Sequence, residues 1–497
     1  MALCTVRTAT LVGVEAVAVE VQVDVGAGLP TFAIVGLPDL AVQEARERVR
    51  SAVRASGFQV PNSRVVVNLA PGPLRKHGTG FDLPIALGLL VATGQLPRVF
   101  SEQMAAVGEL SLDGSIRAVP GMLAHALGAR SRGLSLLGPT EAAPAACREG
   151  VDYRCVSHLA QLRGCVPPRC EPEPLAATEG ASDAKGYDFA DVAGHEHAKR
   201  GLLIAAAGGH NALMVGPPGS GKTMLARRLP GILPVLDSEE RLQTALVHSV
   251  AGLDERPALR GLRPFRAPHH SASMAGLVGG GSPARPGEVS LAHNGVLFLD
   301  EMPEFGPAAL QALRQPLEDG SISLVRAEGR MTFPARFALV GAANPCPCGF
   351  FGDSARRCGC PDSVVDRYRA RIGGPLMDRI DLVIDVSRVD PALLLAEGSG
   401  SRSSSLRESV AATRERALSR GLGPTAQLAG GSLLDACRLD ARARGRLERL
   451  ARTQCLSGRG VTRLLRVART TADLEGCERV TSDHIAEMLG YRREEER

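Results

Sequence analysis

Apolar residues recur along this chain with two different periods, and each period marks a different kind of element. Residues 11–25 and 64–70 set valines at alternate positions among small and charged residues, the pattern of half-buried strands. Residues 211–215, 296–299 and 337–343 are instead short continuous apolar runs, as in strands covered on both faces. Residues 39–57 have helical spacing, with Arg46, Glu47, Arg48 and Arg50 on the polar side. Residues 81–93 read as an apolar helix after a glycine-rich turn, and 222–229 as a helix directly following a buried strand. Residues 322–325 and 331–337 are β-prone runs about a short Glu-Gly turn, which predicts a hairpin. From residue 406 to 490 the pattern is helical.

Breaks in the pattern divide the chain. Val166-Pro-Pro-Arg-Cys-Glu-Pro-Glu-Pro174 and the small polar residues after it read as an exposed linker, and residues 396–405 as a second flexible stretch. At 497 residues the chain is too long for one core, and about three domains are expected. They are residues 1–165, residues 188–390 beyond a 166–187 linker, and residues 391–497. The expected class is α/β: an α+β domain, an αβα core on a parallel sheet, and a helical lid.

Composition narrows the function classes. No apolar run is long enough for a membrane span, and the N-terminus lacks the charged-then-apolar order of a secretory signal, so a soluble cytoplasmic protein is expected. The formal charge is only +5, but Lys76, Lys185, Lys199 and Lys222 are the sole lysines, so position rather than number must carry any nucleic-acid argument. Tryptophan is absent and aromatics are 3%, which disfavours a base-stacking platform and leaves phosphate-backbone contacts as the mode for DNA. Cytoplasmic cysteines seldom pair. Cys4, Cys147, Cys155, Cys437, Cys455 and Cys477 read as buried or incidental, and Cys165 and Cys170 as linker residues without a ligand set.

Two motifs carry chemistry. Gly216, Pro217, Pro218, Gly219, Ser220, Gly221, Lys222 and Thr223 fit the phosphate-binding loop, G-x-x-x-x-G-K-S/T. Its glycines let backbone N–H groups crowd round a triphosphate, Lys222 reaches the β/γ-phosphates, and Thr223 offers a hydroxyl to Mg²⁺. Val296-Leu-Phe-Leu-Asp-Glu301 is a buried strand ending in Asp300, for Mg²⁺, and Glu301, placed to polarise an attacking water. The pair in this order predicts ATP hydrolysis. Asn344 ends a third apolar run, where an amide can hold the attacking water or the γ-phosphate. Cys346, Cys348, Cys358 and Cys360 form a C-x-C…C-x-C set whose thiolates suit a structural Zn²⁺, with free thiols as the alternative. His269 and His270 lack a helix-spaced partner and read as loop structure rather than metal ligands.

These motifs, with Gly36-Leu-Pro-Asp39, Asn68-Leu-Ala-Pro71, Phe81-Asp-Leu-Pro-Ile-Ala86 and Gly108-Glu-Leu-Ser-Leu-Asp-Gly114, resemble the Mg-chelatase-like AAA+ ATPases of the YifB/ComM family over nearly the whole chain. The resemblance implies a homo-hexameric ring that drives single-stranded or branched DNA, with ATP and Mg²⁺ as cofactors. It implies an arginine finger at Arg379, within Pro375-Leu-Met-Asp-Arg-Ile-Asp-Leu382, reaching the neighbouring subunit's γ-phosphate. Arg459 or Arg463 would be the nucleotide-sensing arginine of the lid, with Arg466 and Arg469 a solvated or subunit-facing stripe. Residues 263–281 fall where the family carries a helix-2 insert, and 322–337 where it carries a hairpin before the Asn344 strand. Arg326 and Arg330 then either grip DNA phosphates or guard an exposed hairpin edge. The implied N-terminal domain is similar in fold to the Lon proteolytic domain, but Gly80 stands at the serine position and residues 120–125 hold no lysine, so peptidase activity is not expected. A magnesium chelatase ATPase subunit and a protein-remodelling ATPase are the alternatives.

Overall fold

The computed structural model describes residues 2–148, 150–172, 186–326, 329–353, 355–390, 400–421 and 423–492. Most of the expected linker, the hairpin turn at 327–328 and residues 396–399 of the second flexible stretch lie outside them.

The N-terminal region is a mixed seven-stranded sheet in the order Thr31–Val35, Arg64–Ala70, Glu15–Gly26, Ala2–Val12, Met104–Ala106, Ser135–Pro139, Tyr153–Val156. The run expected as one strand over 11–25 is two antiparallel strands, Ala2–Val12 and Glu15–Gly26, because Gly13 turns the chain at φ +65°. Val19, Val21 and Val23 and, on the next strand, Val65, Val67 and Leu69 share the core with helices Leu40–Ala55 and Asp82–Ala92. The polar side of the first helix is less uniform than its spacing implies. Arg48 turns inward and clasps the buried Asp82 with Nε–Oδ2 2.6 Å and Nη2–Oδ1 2.9 Å. The cysteine expectation also fails in part: Cys155 and Cys170 are disulfide-bonded, which ties the start of the linker to an edge strand. The two stand 15 positions apart, and that separation in sequence hides their proximity.

The second region is built on a five-stranded, wholly parallel sheet, ordered Phe265–Arg266, Gly295–Leu299, Phe337–Ala343, Ala212–Val215, Leu382–Asp385. Both faces are covered. Ala212, Met214, Val296 and Phe298 pack into one core with Leu202 and Leu225, whereas Leu213, Val215, Leu297 and Leu299 pack into another with Met302, Phe305 and Leu310. The C-terminal helices, from Ser403–Ser419 to Ser482–Leu489, share the first of these cores through Leu433, Leu447, Leu464 and Ile485.

Hairpin Ser321–Arg326/Gly329–Pro334 joins the two regions. Phe333 and Met331 are buried with Ala124, Leu11, Val12 and Val14 of the N-terminal region and Val250 of helix Ser238–Ala251. A β-carbon at Gly13 would stand 2.8 Å from the Thr332 carbonyl oxygen. Gly121 donates its N–H to Ser249 at 2.8 Å across the same seam.

Two buried histidines make this assembly acid-sensitive. Burial drives His125, in the seam helix Met122–Ser131, and His293, before the acidic strand, each down to about 4. His293 accepts the Arg336 N–H on Nδ1 at 3.0 Å, so the fold needs its neutral ring. Their stabilisation is complete above about pH 6.5 and is lost as pH falls toward about 4, because the unfolded chain then binds more protons. Thermal midpoints measured from neutral pH downward should therefore fall in the native chain and fall less steeply in His125→Leu/His293→Asn. An unchanged slope would refute the assignment.

Candidate nucleotide site

Parallel pairing brings three distant segments to one sheet edge. Val215 lies opposite Ala343, and Leu299 opposite Gly341, so Gly216, Asp300 and Asn344 all leave the sheet together. After Gly216 the chain turns through Gly219 (φ +77°) and Gly221 (φ +86°), a left-handed conformation that favours glycine. Gly216 sits so close to the Val386 carbonyl that a β-carbon there would collide with it. Helix Lys222–Ile232 starts at once, aiming its N-terminal N–H groups at the loop. Residues 218–224, Asp300, Glu301 and 342–344 line a cavity of about 440 Å³, a size that suits a small ligand, about 300–1,000 Å³.

Side chains inside the cavity already face one another. Lys222 donates to the carbonyls of Gly216 (2.7 Å) and Pro217 (2.9 Å) and to Asn344 Oδ1 (3.3 Å). Burial lowers its pKa, and Asp300 and Glu301 oppose that shift, as expected of an ammonium held ready for an anion. The Thr223 hydroxyl donates to Asp300 Oδ2 at 2.7 Å, which sets a hydroxyl and a carboxylate about one point, a donor set that fits Mg²⁺. Glu301 adopts φ +49°, and its carboxylate is more than half exposed, free to meet a water. Two neighbours join the site: His270, read from the sequence as loop structure, and His195, which the sequence reading did not single out. His270 Nδ1 stands 3.5 Å from Glu301 Oε2, and His195 Nε2 would be 3.3 Å from a β-carbon at Gly221. The one available signal was the His-His pair just after strand Phe265–Arg266, which in the sheet neighbours the strand leading to Glu301.

Comparison with known proteins identifies the family. The family "Magnesium chelatase, subunit ChlI" matches residues 188–394, "Subunit ChlI of Mg-chelatase" residues 21–141, and its C-terminal family residues 400–492. The chain is 42% identical to the YifB protein of Salmonella typhimurium over 496 residues, covering 99% of this chain and 97% of that protein. It is 42% identical to the competence protein ComM of Haemophilus influenzae over 503 residues, covering 99% and 98%. It belongs to the Mg-chelatase-like YifB/ComM family. A weaker likeness, 26% identity over 205 residues, links 38% of this chain to 20% of the DNA replication licensing factor mcm6 of Dictyostelium discoideum.

In this YifB/ComM-type chain the arginines expected around a nucleotide stand apart from the phosphate loop. Arg379, Arg459, Arg463 and Arg466 line a second cavity, with Glu318, Asp378 and Asp381. Arg379 pairs with Glu318 and donates to the Pro375 carbonyl at 2.5 Å. Arg459 is 70% exposed and reaches Asp378 at 3.3 Å; Arg463 donates to the carbonyls of Met377 (2.9 Å) and Ile380 (3.0 Å). Neither lid arginine touches its own chain's phosphate loop. The cause is packing: Leu464, Leu465 and Val467 of helix Gly458–Leu474 are buried in the sheet's core, which pins the helix start beside Asp378. Arg469 departs further from expectation. It is fully buried, bonding Asp473 at 2.9 Å and the carbonyls of Ala436 and Glu478, and so belongs to the lid's interior rather than to a solvated stripe.

The remaining predicted residues fall at two places. Arg326 and Arg330 are exposed on the hairpin, and Arg330 donates to Ser323 Oγ at 3.0 Å. Cys346, Cys348, Cys358 and Cys360 converge in the loop after Asn344. Their sulfurs lie within 4.8 Å of one another.

The Thr223–Asp300 contact generates a test. Thr223→Ala and Asp300→Asn should each weaken Mg²⁺-dependent ATP binding, and the double variant should lose less than the sum. Titration calorimetry with ATP, with and without Mg²⁺, should give a coupling of about 0.5–3 kcal/mol. Strict additivity would separate the two side chains.

Proposed function

We propose that the protein is an ATP-hydrolysing AAA+ motor that works as a homo-hexamer on DNA, as a helicase or branch-migrating translocase. The observation that carries this reading is the division of the site. One cavity holds the phosphate loop, Asp300, Glu301 and Asn344; another holds Arg379 and Arg459, and Arg463 lines both the latter and a cavity that reaches Asn344. A ring in which each chain's second cavity faces its neighbour's first would complete the site between subunits. Lys222 and the loop N–H groups would bind the phosphates, Thr223 and Asp300 would hold Mg²⁺, and Glu301 and Asn344 would orient water. Arg379 would stabilise the charge that develops on the transferred phosphoryl group, an effect worth on the order of 10³–10⁵ in rate.

DNA enters through the hairpin. Its base is buried, while Val325 beside the turn is 77% exposed and Arg326 and Arg330 flank that turn. A guanidinium pair on a firmly seated arm suits sequence-independent phosphate contacts. The insert meets this arm, since a β-carbon at Gly280 would lie 3.2 Å from Arg326 Nη2. One relative is named for competence and another for DNA replication licensing. The family descriptions favour a second reading, an ATPase subunit of a magnesium chelatase. It would show as porphyrin metallation and as indifference to DNA. No helix among the described residues is long and apolar enough to cross a membrane.

Subunit mixing tests the divided site. Arg379→Ala and Glu301→Gln should each abolish ATP hydrolysis, yet mixed together they should recover part of it, because some interfaces then combine an intact finger with an intact glutamate. Single-stranded or four-way-junction DNA should stimulate the native ring, and Arg326→Ala/Arg330→Ala should remove that stimulation while leaving basal hydrolysis. No recovery on mixing would refute the shared site; no response to any DNA would refute the motor.

A further inference from the structure

The four-cysteine loop has a geometry that neither ATP hydrolysis nor DNA contact requires. The Cys346, Cys348 and Cys358 sulfurs are separated by 3.3, 3.6 and 3.5 Å, and Cys360 completes the group within 4.8 Å. Zinc–thiolate bonds of about 2.3 Å in a tetrahedron put the sulfurs about 3.8 Å apart. The thiols are therefore gathered almost to the spacing that a Zn²⁺ ion demands, by two C-x-C turns nine residues apart in sequence. The Cys360 N–H donates to the Cys358 sulfur at 3.4 Å, which helps to orient that sulfur toward the other three. Among the described residues no carboxylate or imidazole joins the set, and four thiolates leave no open position for a reacting water. Soft sulfur ligands in tetrahedral array select Zn²⁺ over Mg²⁺ or Ca²⁺.

The location of the loop gives the ion a task. Cys346 is two residues beyond Asn344, the amide that receives a hydrogen bond from Lys222. Gly349, in the turn between the first two cysteines and the next pair, lies against the phosphate loop: a β-carbon there would stand 2.5 Å from Pro218 Cδ. The far side of the loop is anchored by Arg369, whose guanidinium lies over Phe351 at 4.7 Å and donates to the Pro345 carbonyl at 3.4 Å. Arg388 adds an ion pair to Asp353 at 3.2 Å. A metal at the centre would turn this loop into a rigid strut between Asn344 and Pro218.

We propose that Cys346, Cys348, Cys358 and Cys360 bind one Zn²⁺ ion that braces the phosphate loop and Asn344, so that loss of the ion weakens ATP binding without loss of the fold. The second clause rests on the nucleotide reading of the phosphate loop, whereas metal content is measured independently of it. Full-length protein should contain one Zn²⁺ per chain by elemental analysis, and Co²⁺ exchanged into it should give the charge-transfer and d–d bands of a tetrahedral tetrathiolate. Stripping with a chelator under reducing conditions should raise the Kd for a fluorescent ATP analogue about tenfold. Circular dichroism should stay unchanged, and added Zn²⁺ should restore binding. Cys348→Ser/Cys358→Ser should lose both the metal and the affinity. Gly349→Ala keeps all four thiols and should retain the metal yet bind ATP more weakly, which a loop merely folded by zinc would not do. Absence of stoichiometric metal, or cysteines paired as disulfides, would overturn the site. Equal ATP affinity in metal-free and metal-loaded protein, or an unaffected Gly349→Ala, would overturn the brace. Failure of the metal-loaded native chain to bind ATP at all would instead count against the nucleotide reading itself.

Discussion

Val215 opposite Ala343 and Leu299 opposite Gly341 is the register on which the candidate site depends. It holds because each strand presents different apolar sets to the two faces of the sheet. Met214 and Phe298 fill one core, and Leu213, Val215, Leu297 and Leu299 the other. A slip by one residue would exchange these sets and leave cavities and overpacking on opposite faces. It would also move Asn344 or Asp300 by about 3.3 Å relative to Lys222, more than a hydrogen bond tolerates. Core packing thus sets the chemistry at the strand ends, and the polar residues add only local adjustment.

The same logic extends outward from the sheet. The hairpin is seated by Phe333 and Met331 in a seam that also holds Leu11, Ala124 and Val250, so its base cannot move independently of the N-terminal region. Gly13 and Gly121 allow the backbones to meet there, one beneath the Thr332 carbonyl and the other bonded to Ser249. A load on Arg326 and Arg330 would be carried into helix Ser238–Ala251 and the N-terminal sheet. The lid is likewise tied in, since its helices complete a core begun by the parallel sheet.

Much of this was legible in the chain. The buried strands before Gly216, Asp300 and Asn344 were visible as short apolar runs, and the phosphate loop as a spacing of glycines about Lys222. The hairpin followed from two β-prone runs about a Glu-Gly turn. What could not be read was the partner of each charged residue. Arg48 and Arg469 looked like surface positions by helical spacing, yet each closes on a buried aspartate, Asp82 or Asp473. Burial of an arginine depends on a carboxylate supplied from elsewhere in the fold, and periodicity is blind to it. The Cys155–Cys170 bond and the approach of His270 to Glu301 were hidden for the same reason: both are contacts between segments that only the sheet order makes adjacent.

The sequence alone determined which groups are available: a glycine-rich loop ending in Lys222 and Thr223, an acidic pair at a strand end, an amide at another, four clustered thiols and a C-terminal helical region rich in arginine. These are local properties, since they need only the spacing of residue types within a few turns or strands of chain. The tertiary structure decided which of them share a cavity. It gathered Lys222, Thr223, Asp300, Glu301 and Asn344, and it set Arg379 and Arg459 at a separate cavity, with Arg463 lining both that cavity and one that reaches Asn344. The physical reason is that position across a sheet and around a packed core is set by long-range burial of apolar surface, a sum over the whole chain that no local pattern contains.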